Sequence, residues 1–137
     1  MKLVLDTNVL VSGMINPAGP PGRIVDRVRI GALTLVVDDR ILAEYTRVLR
    51  RRRFAGYFSN SQVRDVLAFL YAEAERMVAG IAVGELPDPE DTPFLEIALT
   101  AEVPLVSGNL ADFPGELRRG AMVLSPAEYV QEYLVEE

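Results

Sequence analysis

The chain reads as an α/β protein, a three-layer α/β/α sandwich with a central, mainly parallel sheet of four or five strands. Three observations predict this. Short runs of consecutive apolar residues, rather than alternating ones, mark strands buried on both faces. Segments with helically spaced apolar residues separate those runs, and strands joined through helices imply parallel pairing beneath helical layers. Polar or acidic clusters follow several of the strands, at the carboxyl ends where open parallel sheets bind their ligands.

The first strand is Lys2-Leu3-Val4-Leu5, followed at once by Asp6-Thr7-Asn8. Asp6 either stands at the functional edge of the sheet, oriented by Thr7 and Asn8, or caps the next helix, because all three residue types are favoured there. Residues 9–15 predict a short helix ended by Asn16-Pro17-Ala18-Gly19-Pro20. Pro21 opens a second, with Ile24, Val25 and Val28 on one face and Gly31 closing it. Residues 33–37 form the second apolar run, followed by Asp38 and Asp39.

From about residue 39 to 53, Ile41, Leu42, Tyr45, Val48 and Leu49 recur at helical spacing. Glu44 lies at the margin of that stripe, where a carboxylate is paired, metal-bound or turned out to water. The run Arg50-Arg51-Arg52-Arg53 compensates the helix dipole on one reading. On the other it contacts phosphate, with Tyr57 and Phe58 available for stacking and with Arg52, Arg53 and Arg64 as candidate nucleic-acid contacts.

Ser59 and Gln62 have capping-box spacing, and Val63, Val66, Leu67, Leu70 and Ala74 continue the helix they start, with Arg64 on a different face. Residues 77–83 are apolar, interrupted by Gly80, and predict an irregular segment or an edge strand. Leu86-Pro87-Asp88-Pro89-Glu90-Asp91-Thr92-Pro93 is an acidic turn that gives way to a helix at Pro93, carrying Leu95, Ala98, Leu99 and Glu102. Pro104-Leu105-Val106-Ser107 is the third strand, with a polar loop from Gly108 to Phe113 behind it. Residues 121–124 are the fourth, and Ser125-Pro126-Ala127-Glu128 starts a last helix through Val130, Tyr133 and Leu134.

At 137 residues the expectation is one domain, 1–137. Cysteine is absent, which rules out disulfides and thiolate chemistry and suits a reducing compartment. Histidine is absent too, which removes Ser-His-Asp and Cys-His nucleophiles, imidazole acid/base pairs and ordinary zinc sites. The remaining alphabet of carboxylates, Ser, Tyr, one Lys and many Arg favours acids holding a hard divalent ion. A net charge of −6 argues weakly against nucleic-acid binding over the whole surface but leaves room for a local basic face. There is no secretory apolar core near the N-terminus and no apolar run of bilayer-spanning length, so the expectation is a soluble cytoplasmic protein without a membrane partner.

Asp6, Asp91 and Asp112 fall at one sheet edge, with Glu44 on a helix packed near it. Four clustered carboxylates repel one another and raise their own pKa values, so such a cluster is tolerated chiefly where it binds cations. One or two Mg²⁺ or Mn²⁺ ions there suit in-line displacement at phosphorus, and phosphodiester hydrolysis is the reaction class expected.

Taken together these motifs resemble the PIN domain. The likeness rests on Leu5-Asp6-Thr7-Asn8-Val9-Leu10, Glu44 in the helix after the second strand, Asp91 seven residues before Ala98, and Val106-Ser107-Gly108-Asn109 with Asp112-Phe113. It runs in order from Met1 to about Leu124, and the stretch from Asp88 to Leu95 is similar to a bacterial branch described as toxin components of toxin and antitoxin pairs. The resemblance implies a metal-dependent endoribonuclease specific for single-stranded RNA, often a homodimer or higher homo-oligomer, and often held inactive by a small antitoxin protein. It implies Asp6, Glu44 and Asp91 as catalytic, metal-binding acids. At the fourth position many members carry Asp where this chain has Asn109; Asp112 is the expected replacement, with Asn8, Ser107 and Asn109 as supporting polar groups. A catalytically weak PIN-fold binding or assembly module is the alternative. Haloacid-dehalogenase-like chemistry would need Asp where Asn8 stands, and a receiver domain would need a late Lys, whereas the only one is Lys2.

Overall fold

Leu3, Val4 and Leu5 expose no surface at all, as expected of a strand at the middle of a sheet covered on both sides. In the computed structural model, which describes residues 1–134, β1 (Lys2–Leu5) is the third of five strands. The others are β2 (Thr34–Val37), β3 (Glu75–Arg76), β4 (Leu105–Val106) and β5 (Val123–Leu124). Their order is β3-β2-β1-β4-β5 and every pairing is parallel. Leu3 stands opposite Leu35, and Leu5 opposite Val106.

The helices are α1 (Thr7–Ile15), α2 (Pro20–Arg29), α3 (Asp39–Leu49), α4 (Asn60–Glu73), α5 (Thr92–Ala101) and α6 (Pro126–Tyr129), the last running on into a π turn at Val130–Leu134. The chain steps outward from β1 to β2 and β3, then returns through α5 to β4 and β5. Right-handed crossovers in opposite directions put α5 on the face opposite α1 and α2, giving the three-layer sandwich. The reversal lies between β1 and β4, and ligands in open α/β sheets bind at that point, beyond the carboxyl ends of the strands.

Local chemistry starts these elements where the sequence expects. Asp38 accepts a hydrogen bond from Ile41 N at 2.9 Å and caps α3. Ser59 with Gln62, and Ser125 with Glu128, form reciprocal capping boxes at α4 and α6. Arg40 on α3 donates to Asp38 Oδ2 at 2.7 Å and to the buried Glu96 Oε1 of α5 at 2.8 Å, while Glu96 Oε2 accepts from Val83 N at 2.7 Å. A buried carboxylate is tolerated when fully paired, and this one ties α3 to α5 and to the irregular segment between β3 and α5.

Two elements depart from the sequence reading. The fifth strand is Glu75–Arg76, ahead of the apolar residues 77–83, which run irregularly after Met77 N donates to Val37 O at 3.0 Å. A two-residue polar edge strand carries no apolar pattern for a sequence to display. Helix α3 ends at Leu49 rather than near residue 53; Arg50 caps it, and Arg52–Phe54 form a separate 3-10 turn. Among the described residues, no helix is long and apolar enough to cross a membrane.

Helices α1 and α2 pack at glycine contact distance. A Cβ on Gly13 would lie 2.6 Å from Pro21 O and 2.5 Å from Val25 Cγ2. Gly13→Ala is therefore expected to destabilise the protein by about 1 to 3 kcal/mol through overpacking, read as a lower urea midpoint at unchanged slope; an unshifted midpoint contradicts this packing.

Candidate functional site

At the reversal, Asp6 N donates to Val106 O at 2.9 Å, which locks the residue after β1 against the end of β4. Asp6 occupies the N-cap position of α1, yet its side chain makes no capping bond. Its Oδ2 instead accepts from the fully buried Ser107 hydroxyl at 2.7 Å. That separates the two readings of this residue: the backbone of Asp6 starts the helix, and its carboxylate faces the neighbouring strand's loop.

Burial pushes the Asp6 carboxyl up to about 6, against the lowering effect of the Ser107 hydrogen bond, and the charges of Glu44 and Asp112 add to the rise. Asp91 is buried at the junction between the Pro89–Asp91 turn and α5. Burial, then the charges of Asp6, Asp112 and Asp88, raise it to about 7, and a hydrogen bond with Asp112 also favours its neutral form. Its Oδ2 is buried without a hydrogen-bond partner. Asp112 sits in the Leu110–Asp112 turn beyond β4 and its charge acts on both aspartates.

Glu44 enters from α3. Thr7 donates its hydroxyl to Glu44 Oε2, and Arg47 Nη2 lies 3.7 Å from Oε1. Among the described residues, no three acids are set closely enough to form a ready cation cage; the four share one electrostatic pocket, with Glu44 drawn toward Thr7 and Arg47.

The supporting polar residues act largely through the loop after β4. Asn8 Oδ1 accepts from Gly108 N at 3.2 Å, and Asn109 N donates to Ser107 Oγ at 3.0 Å. The Asn109 side chain itself is exposed. A Cβ on Gly108 would meet Asn8 Oδ1 at 3.3 Å, so glycine lets the two loops close on one another. Two contributors, Arg47 and Tyr45, escaped the sequence reading, and Thr7, expected to orient Asp6, instead bonds Glu44. Arg47 reaches Glu44 and also Glu90, at 3.9 Å; its spacing of three from Glu44 was the available signal. Tyr45 donates its hydroxyl to Leu5 O beneath the site.

The candidate RNA contacts lie apart from this pocket. Arg52 and Arg64 line one groove between the end of α3 and the start of α4, whereas Arg53 stacks over Phe54 at 4.8 Å. Phe58 is buried and has no face to offer a base; Tyr57 is 61% exposed.

The donor set is oxygen only and carries more negative charge than its surroundings offset, which fits a hard divalent ion. The unpartnered Asp91 Oδ2 is the atom most in need of such a partner.

Comparison with known proteins follows the same outline. The sequence model of a family described as PIN domain matches residues 2–111. The uncharacterized protein MJ1680 of Methanocaldococcus jannaschii is 24% identical over 80% of this chain and 71% of its own length. VapBC-1 from nontypeable Haemophilus influenzae superposes with a TM-score of 0.62 at 17% identity, over 93% of this chain and 99% of its own. VapBC2 from Rickettsia felis, solved with a DNA fragment from its promoter, gives 0.56 at 14% over 91% and 98%. FitAcB from Neisseria gonorrhoeae gives 0.54 at 15% over 93% and 99%.

The raised carboxyls carry a stability signature. Above pH 4 the unfolded chain has released protons that folded Asp6 and Asp91 still hold, so stability from these two groups falls as pH rises and is lost by about pH 7 to 8. Replacing Asp6 with Asn should flatten the fall in melting temperature between pH 5 and 8 in chelator, and raise stability at pH 8 by about 2 to 3 kcal/mol. Parallel pH profiles for wild type and variant would contradict this.

Proposed function

Because the chain belongs to the PIN domain family, we propose that it is a Mg²⁺- or Mn²⁺-dependent endoribonuclease. Its substrate on this reading is single-stranded RNA, and its role is that of the toxin component of a cytoplasmic toxin and antitoxin pair. The observation that carries the reading is the pocket at the strand reversal, where burial pushes two carboxyls toward neutral pH and leaves one carboxylate oxygen unpartnered.

In this proposal Asp6, Glu44, Asp91 and Asp112 hold one or two ions. When bound, such ions lower the pKa of a water and offset charge developing on the phosphoryl oxygens. Ser107 fixes the Asp6 carboxylate through Oδ2, and Asn109 N in turn fixes the Ser107 hydroxyl. Thr7 orients Glu44, while the Asn8 bond to Gly108 closes the loop that delivers Asp112. Positioning of this kind typically changes metal affinity or activity by about 10- to 100-fold.

A small antitoxin protein and a second copy of this chain are the proposed protein partners. The resemblance of the motifs supports both, and the shared fold with VapBC and FitAcB supports the first. The competing reading is a catalytically weak binding module, favoured by the lack of a ready acid triad among the described residues.

Two measurements decide between them. Mn²⁺ at about 100 times its Kd should stabilise wild type by about 2.7 kcal/mol through binding the folded state only, with the gain much reduced in Glu44→Gln. An Asp6→Asn, Asp91→Asn double variant should cleave single-stranded RNA more than about 100-fold more slowly, beyond the usual loss from outer partners. Equal cleavage rates, or a melting curve indifferent to millimolar Mn²⁺, would remove the nuclease reading.

A further inference from the structure

The arginines beyond α3 do more than face its carboxyl end. Arg50, Arg51 and Arg52 line a groove of about 430 Å³ together with Arg64 of α4, over a floor that includes Phe58 and Val63. No acid lines it, and none of the four forms an ion pair with a described residue. In a chain with a net charge of −6 such a concentration of uncompensated cations stands out.

Dipole compensation accounts for cations at the end of α3. It does not account for Arg64, which comes from a different helix and lies near that helix's amino end, where positive charge is disfavoured. Helix α4 also has no acid in its first turn. Four guanidiniums and a helix amino end facing one cleft repel one another, and a bound polyanion relieves that repulsion.

Helix α3 links this groove to the acid pocket. Glu44 is six residues before Arg50, about 9 Å along the helix axis, and Arg47 lies between them within 3.7 Å of Glu44. We propose that a single-stranded nucleic-acid backbone follows this line, with phosphates held by Arg50, Arg51, Arg52 and Arg64 and the chain led past Arg47 into the pocket. The track rests on the nuclease reading for its substrate and adds where the strand lies.

The test uses Asp91→Asn protein, in which the nuclease reading expects cutting to be lost, and a fluorescent uridine dodecamer read by anisotropy over a range of salt. In that background Arg52→Ala, Arg64→Ala should lower the slope of log K against log salt by about 1.4, and affinity near 0.1 M salt by about 20-fold, at about 0.7 per lost phosphate contact. Arg64→Lys should keep the slope, because it keeps the charge. Arg29→Ala, Arg76→Ala, which removes the same net charge elsewhere, should leave the slope unchanged, and melting curves of all variants should match their parent. Equal slopes for the groove variant and its parent would overturn the track while leaving the nuclease reading in place. Absence of RNA binding by every variant, with no cleavage by wild type, would overturn both. Tighter groove-dependent binding of poly-glutamate than of RNA of equal charge would overturn the track in favour of an acidic protein segment.

Discussion

Holding like charges at the buried end of a central strand is the constraint on which the rest of this structure depends. Asp6 directly follows three residues with no exposed surface and is itself buried, so its carboxylate is held out of bulk water at the end of β1. The cost of burying it is visible in its reluctance to ionise. The structure offsets part of that cost with the Ser107 hydroxyl and part with the strand pairing that brings Ser107 there. Both depend on β4 lying beside β1, which the return crossover through α5 provides.

The same crossover explains why the remaining acids arrive where they do. Asp91 is delivered at the start of α5 and Asp112 in the turn after β4, the two ends of the segment that recrosses the sheet. Glu44 comes from α3, which the Arg40 and Glu96 pair clamps to α5. The helices carrying Glu44 and Asp91 are thus joined by an ion pair with a buried carboxylate as well as by apolar packing. A shift of either would expose Glu96 to the penalty of a buried, unpaired charge.

Charge is sorted along α3. Its middle turns toward the acid pocket at Glu44, while its carboxyl end opens into the arginine groove shared with α4. One short helix thus separates a cluster of acids from a cluster of cations, and both proposals made above rest on that separation.

Much of this was legible in the sequence. Consecutive apolar runs gave β1, β2 and β4 because a strand buried on both faces leaves no other pattern, and the serine capping boxes marked α4 and α6 because their hydrogen bonds are local. Asp6, Asp91 and Asp112 were visible as acids beside strand or helix ends, and Glu44 as an acid at the margin of a helical apolar stripe. Residue pattern left undecided whether Asp6 caps a helix or faces a pocket, whether Asp112 comes within electrostatic reach of Asp6 and Asp91, and whether the arginine run meets a cation from another helix. Those answers depend on partners 101 residues away for Asp6 and Ser107 and on a second helix for Arg52 and Arg64. The brief polar β3 was hidden for the same reason, since its strand character lies only in its pairing with β2. Periodicity and capping are properties of neighbours in the chain; the pairing of charges is a property of neighbours in space, and only the folded sheet supplies those.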